Sequence, residues 1–260
     1  MKLAGKVVVV TGGGSGIGAA LCRRFSLEGA ARVVAVDLNE AEARSVSESV
    51  GGLAYGCDVS SEAALVEVID DVERRVGPID LFCSNAGLCI QDPDPEDPLS
   101  SDNAMWQRNW DVHVMAHVYA ARALAPRMAA RGGGWLLNTI SAAGLLAQLG
   151  NGPYSASKHA AVGLAEALAI QLADKGIGVS ILCPQAVRTP MAVGAEKFAA
   201  GVDGIISPEE VADCVVEGLG AERFLILPHP QVLEYMRRKG QDYDRWLGGM
   251  RRLHRATLQD

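Results

Sequence analysis

Seven short runs of apolar, largely β-branched residues recur along the chain, at Val7–Val10, Arg32–Val36, Gly52–Cys57, Ile79–Ser84, Trp135–Ile140, Gly178–Cys183 and Phe224–Leu227. Between most of them lie segments with apolar residues at helical spacing, such as Ala64, Leu65, Val68, Ile69, Val72 and Val76. The first run is apolar throughout between Lys6 and Thr11, as a strand covered on both faces requires. Strands alternating with helices imply right-handed crossovers. The pattern predicts an α/β fold: a doubly wound, seven-stranded, mainly parallel sheet with helices on both faces. A chain of 260 residues can bury about three-quarters of its unfolded surface in one core. No linker or compositional shift divides it, so residues 1–260 read as one domain.

Composition removes several function classes. Hydrophobic residues make up 49% and charged ones 21%, too apolar for a disordered chain. A net charge of -7 argues against nucleic-acid binding, which usually carries a basic footprint. No apolar run reaches the ~20 residues that span a bilayer, and the start of the chain lacks the pattern of a signal peptide. Cys22, Cys57, Cys83, Cys89, Cys183 and Cys214 are scattered, with no C-x-x-C pair, and read as reduced, mostly buried thiols. The expectation is a cytoplasmic protein without a membrane or nucleic-acid partner.

Two segments break the alternation. Residues 88–102 contain Asp92-Pro-Asp-Pro-Glu-Asp-Pro98, which excludes a helix interior. Residues 185–206 form a second long connection. Both follow strand carboxyl ends, where open α/β sheets bind ligands, and are expected to form substrate loops, the second one closing over the substrate. The C-terminal extension, residues 229–260, is basic on an acidic body: from Gln231 onward it carries a net +3, against -10 elsewhere. Leu233, Tyr235, Met236, Trp246, Leu247, Met250 and Leu253 are interspersed with its charges. It is expected to be an amphipathic cover, on the body or across a subunit interface, with a membrane-surface helix as the alternative.

Thr11-Gly12-Gly13-Gly14-Ser15-Gly16-Ile17-Gly18 follows the first strand and opens a helix at Ala19–Glu28. Glycines there admit a pyrophosphate to the backbone, and the helix start offers free N–H groups. Asp37 ends the second strand nineteen residues after Gly18, close to the spacing of a ribose-binding acid. Its carboxylate would accept the adenosine ribose hydroxyls and repel a 2′-phosphate. Ser15 and Leu38 supply no compensating positive charge, so the expected cofactor is NAD.

Tyr154 and Lys158 stand four apart at the start of a helical segment reaching about Asp174, and share one helix face. A fixed cation favours phenolate, so Tyr154 can serve as general base toward an alcohol or general acid toward a ketone. Ser141 follows the fifth strand and could hydrogen-bond the reacting oxygen. It lacks the glycine-bracketed turn of a hydrolase nucleophile.

From Lys6 to Leu227 the sequence resembles the short-chain dehydrogenase/reductase superfamily, in its compact branch. The resemblance rests on Thr11-Gly-x-x-x-Gly-x-Gly18, Asp58, Asn85-Ala-Gly87, Ser141, Tyr154-x-x-x-Lys158 and the stretch from Pro184 to Thr189. It implies a Rossmann-type fold and an NAD site in which Gly12, Gly14, Ser15, Gly16, Ile17 and Gly18 form the pyrophosphate turn. Asp37 and Leu38 would select the ribose, and Asp58 and Val59 would hold the adenine. Asn85, Ala86 and Gly87 would line the ribose side; Pro184, Val187 and Thr189 would frame the nicotinamide. It implies that Ser141 orients the substrate oxygen, Tyr154 transfers the proton, and Lys158 binds the nicotinamide ribose and depresses the tyrosine's pKa. It also implies a homotetramer or homodimer, with a long Asp102–Arg131 helix in an interface.

Two positions depart from the family pattern. His113 stands where asparagine is usual, as the fourth catalytic member; a structural role and an active proton role are both open to it. Gln185 replaces the usual glycine after the proline. His113 and His117 stand four apart without an evident third ligand, so no metal is expected. The expected activity is NAD-dependent interconversion of a secondary alcohol and a ketone. Candidate pocket walls are Ala143, Leu145, Leu149, Met191, Val193 and Phe198, mostly apolar and without an arginine cluster. They favour a steroid- or terpenoid-like small molecule. The alternatives are a 3-oxoacyl-type carbonyl reductase and a non-catalytic NAD-sensing regulator.

Overall fold

The computed structural model describes residues 1–192 and 202–257. In chain order the elements are β1 (Val7–Thr11), α1 (Gly16–Leu27), β2 (Arg32–Asp37), α2 (Glu40–Ser49), β3 (Leu53–Gly56), α3 (Glu62–Arg75), β4 (Leu81–Ser84), α4 (Asn103–Trp110), α5 (Ala116–Ala130), β5 (Gly134–Thr139), α6 (Gly152–Leu172), β6 (Ile177–Leu182), α7 (Pro208–Gly220), β7 (Leu225–Ile226), α8 (Gln231–Gln241) and α9 (Tyr243–Thr257). The strands form one sheet in the order β3-β2-β1-β4-β5-β6-β7. Every pairing is parallel, where the sequence predicted a mainly parallel sheet.

All five residues of β1 are buried. Strand side chains alternate between faces, so Val7 and Val9 enter one core with Val34, Val68, Ile69, Phe82 and Leu124. Val8 and Val10 enter the other, with Leu21, Phe25, Val211, Val215 and Leu219. The chain thus has two cores, one on each face of the sheet, with α3 and α5 over the first and α1 and α7 over the second. Strand order reverses between β1 and β4, which opens a crevice at their carboxyl ends.

The long helix expected over Asp102–Arg131 is interrupted. Between α4 and α5 the backbone widens to a π-turn at Asp111–Met115, with His113 inside it. Helix α1 begins at Gly16, three residues before the expected start, because the glycine turn runs directly into the first helical turn. The extension folds as α8 and α9, which pack on each other; Val232 and Trp246 join Ala142 and Leu146 in a satellite cluster. No helix among the described residues is long and apolar enough to cross a membrane.

Candidate active site

The crevice opens into a cavity of about 1410 Å³. That exceeds the ~300–1,000 Å³ usual for a single small ligand. The glycine turn forms its floor. Gly12 has φ +64°, and a Cβ there would lie 2.9 Å from the Ala86 Cα. At Gly18 a Cβ would fall 1.9 Å from the Gly12 carbonyl oxygen, so the helix can enter this turn only on glycine. Ser15 caps α1 without a side-chain capping bond, which leaves N–H groups of the first turn available to an anion. These bare positions suit a dinucleotide's pyrophosphate.

Gly12, Ser15, Gly16, Ile17 and Gly18 line this cavity, as do Asp37, Leu38, Asp58 and Val59. So do Asn85, Ala86 and Gly87, together with Pro184, Val187 and Thr189. Gly14 does not. Its N–H donates to Asp37 Oδ2 at 3.0 Å, and a Cβ there would press on Glu42. Gly14 therefore shapes the turn from behind.

Asp37 Oδ1 accepts the Asn39 N–H at 3.0 Å, so this carboxylate organises the turn and also borders the cavity. Leu38 beside it is 70% exposed and brings no charge. Asp58 is held below the usual carboxylate range by the hydroxyl and N–H of Ser60, with Arg108 adding to the effect. Asn85 Nδ2 donates to the Thr11 carbonyl at 3.0 Å. Thr11 Oγ1 accepts the N–H groups of Asn85 and Ala86, which locks β4 to the glycine turn.

Ser141, Tyr154 and Lys158 meet in the same cavity. Tyr154 sits in the first turn of α6, where Asn151 Oδ1 accepts its N–H at 3.1 Å. Lys158 Nζ lies 5.5 Å from the Tyr154 ring centroid and donates to the Thr139 carbonyl at 3.4 Å. Burial pushes the Lys158 amine down to about 8. It pushes the Tyr154 phenol above its usual range; the Cys89 thiol adds to this and a hydrogen bond with Ser141 opposes it. Before any ligand acts, burial disfavours both charges of the pair.

His113 does not border the cavity; it is fully buried behind Tyr154, ring centroids 5.3 Å apart and nearly perpendicular. Its Nε2 accepts the Leu88 N–H at 3.1 Å, which leaves the proton on Nδ1. Nδ1 then donates to Ser157 Oγ at 3.0 Å, and Ser157 donates to the Tyr154 carbonyl. Burial holds the imidazole well below its usual pKa, so it stays neutral. The network favours the structural role over the proton role. Gln185 offers its backbone N–H to His229 Nδ1 at 3.2 Å, which ties the loop after β6 to the chain entering α8. Among the described residues no group of three His, Cys, Asp or Glu side chains could hold a metal ion.

The walls differ from expectation. Ala143 and Met191 line the cavity; Leu145 and Leu149 do not, and Leu145 packs into the hydrophobic clusters instead. Val193 and Phe198, much of the loop 185–206 and the last residues of the extension lie outside the described residues. The expectation of a wall without an arginine cluster does not hold: α8 and α9 bring Arg238, Arg245 and Arg252 to it, beside Trp246, Met250 and Leu253. Sequence reasoning saw the apolar stripe and missed that these arginines share its face. The spacing 245, 246, 249, 250, 252, 253 carried that signal.

A family model described as short chain dehydrogenase matches residues 6–199. Among curated proteins, 1-deoxy-11-beta-hydroxypentalenate dehydrogenase of Streptomyces exfoliatus is 36% identical over 234 residues, covering 87% of this chain and 84% of that protein. The 3beta-hydroxysteroid dehydrogenase 2 of Eggerthella lenta is 34% identical over 201 residues, 74% of this chain and 75% of its own length. Among solved structures, a short chain dehydrogenase/reductase from Burkholderia phymatum in complex with NAD superposes with a TM-score of 0.83 at 29% identity, over 94% of this chain and 96% of that one.

Proposed function

Since the chain belongs to the short-chain dehydrogenase family, we propose that it is an NAD-dependent oxidoreductase interconverting a secondary alcohol and a ketone on an apolar, steroid- or terpenoid-like molecule. The observation that carries this reading is convergence. Ser141, Tyr154 and Lys158 share one cavity with a glycine turn and the strand-end carboxylate of Asp37. Gly12, Gly16, Gly18 and Asp37 would hold the dinucleotide, and the part of the cavity lined by Lys158, Pro184, Val187 and Thr189 would take its nicotinamide riboside. When bound, the nicotinamide dinucleotide supplies the ring that accepts or gives hydride. The chain's own groups manage the proton. Ser141 Oγ orients the substrate oxygen, Tyr154 Oη takes its proton in oxidation and returns it in reduction, and Lys158 favours the phenolate as a near cation. His113 acts as a positioning residue, fixing Leu88 and the turn that carries Tyr154.

Preference for NAD over NADP rests on Asp37 with Leu38: a carboxylate and an uncharged neighbour disfavour a 2′-phosphate. The substrate class is supported by the apolar residues of the cavity and by the hydroxypentalenate and hydroxysteroid named for the relatives. A cytoplasmic setting, supported by six free thiols, belongs to the same proposal. So does a homotetramer or homodimer, which would cover the exposed Trp110 and Ile170. The test is NADH formation from a panel of steroid and terpenoid secondary alcohols. We expect turnover with NAD, at least about ten-fold more efficient than with NADP. Preference for NADP would overturn the cofactor assignment; clean NAD binding with no turnover on any alcohol would favour a regulator.

A further inference from the structure

At about 1410 Å³ the cavity exceeds a usual single-ligand pocket, and the part of its wall built by the extension carries charged side chains. Arg245 and Arg252 lie seven residues apart on α9, two turns along one face, about 10 Å between them along the axis. The other charged groups on this wall are engaged. Arg238 pairs with Glu234 at 2.9 Å, and Asp242 Oδ1 accepts the backbone N–H of Arg245 at 2.9 Å. Among the described residues no ion pair engages the guanidinium of Arg245 or Arg252.

The backbone leaves room beside one of them. Arg252 Nη1 and Nη2 lie 3.9 and 3.8 Å from where side chains at Gly248 and Gly249 would begin, so no side chain at those positions screens the fork. The same cavity is lined by apolar Leu146, Met191, Trp246, Met250 and Leu253, with Glu234, Gln241 and Asp242 as polar neighbours of the arginines along the extension. An apolar body with planar, paired hydrogen-bond donors at its rim matches an amphiphilic ligand, and guanidinium is the side chain best matched to a carboxylate. The net +3 of the extension on a body of -10 makes this rim a local attractor for anions.

We propose that Arg245 and Arg252 form a carboxylate subsite, and that the substrate is an apolar secondary alcohol or ketone bearing a carboxylate remote from the reacting oxygen. This rests on the alcohol–ketone reading above and narrows its substrate class.

The test is calorimetric titration of the NADH-saturated protein with two acids, 12-hydroxyoctadecanoate and 3-hydroxycholan-24-oate, and with their methyl esters. We expect at least one acid to bind about ten-fold or more tighter than its ester. In the double variant R245Q/R252Q that ratio falls below about two-fold, while R245K/R252K keeps part of it. Equal binding of acid and ester, an unchanged ratio in the glutamine variant, or no saturable binding by either acid overturns the proposal. NADH formation from the same probes with NAD is read separately. An acid that binds with arginine-dependent affinity and is never oxidised counts against the alcohol–ketone reading and leaves the subsite standing.

Discussion

Lys158 is 3% exposed, and the carbonyl oxygen of Thr139 is the one acceptor its amine reaches among the described residues. Its pKa falls from a usual 10.5 to about 8, which corresponds to about 3 kcal/mol favouring the neutral form. The sign follows from proton counting. Below pH 8 folded and unfolded chains are both protonated, and the folded state bears the full burial penalty. Between about 8 and 10.5 only the unfolded chain holds the proton, so stability from this group rises with pH. Lys158→Met should therefore raise the thermal midpoint at pH 7 by about 5 °C, with a gain that shrinks by pH 10, while turnover is lost. Melts of both proteins at the two pH values, without nucleotide, check this. A lower midpoint for the variant at pH 7 would show that the amine stabilises the fold. The Tyr154–Lys158 spacing was legible in the sequence because it is local. The direction of their pKa shifts was not, because burial is set by β4, β5 and β6 arriving from elsewhere in the chain.

At the scale of elements, Asn151 links α6 to a loop. Its Oδ1 caps the helix at Tyr154, and its Nδ2 donates to the Ile90 carbonyl at 2.7 Å. Nearby, Asp92 Oδ2 accepts the Gly152 N–H at 2.8 Å and Oδ1 accepts the Ser101 hydroxyl at 2.6 Å, so the loop 88–102 is clamped to the start of the helix. Asn151→Ala should cost about 1–2 kcal/mol in urea unfolding and lower kcat more than it raises KM, because it frees the turn that aims Tyr154. An unchanged kcat would separate the cap from the chemistry. Proline placement revealed this loop, and apolar periodicity revealed the strands. The π-turn at His113 escaped notice: Asp102–Arg131 reads as continuous helix, and the extra residue per turn shows in the backbone, where the Ala116 N–H bonds the Asp111 carbonyl, while the His113 ring in that turn is fixed between Leu88 and Ser157. That three-way tie is what the departure from asparagine does in this chain.

For the molecule as a whole, the alternation of strands and helices and the glycine turn after β1 were legible in the sequence, since both depend on residues close along the chain. The strand order was not, because it pairs residues as distant as Val8 and Leu81. Nor was the proposed substrate side. It is assembled from the end of β5, the loop after β6 and the extension, and Arg238, Arg245 and Arg252 reach it only through the packing of α8 and α9. Binding of nucleotide and binding of substrate should therefore separate. A chain shortened after Asp242, lacking α9, should keep NADH affinity within about three-fold, because the residues proposed to hold the nucleotide lie on the body. Its KM for the best alcohol should rise about ten-fold or more, since Trp246, Met250 and both subsite arginines are removed. Equal loss of both would mean that α9 supports the fold rather than the substrate. The claim on which all of this depends is that the Tyr154 hydroxyl moves the proton. Tyr154→Phe deletes that oxygen and little else. We expect kcat to fall by at least about a thousand-fold while Kd for NADH stays within about three-fold; turnover above about a tenth of the unmodified protein's, with NADH still bound, would contradict the account.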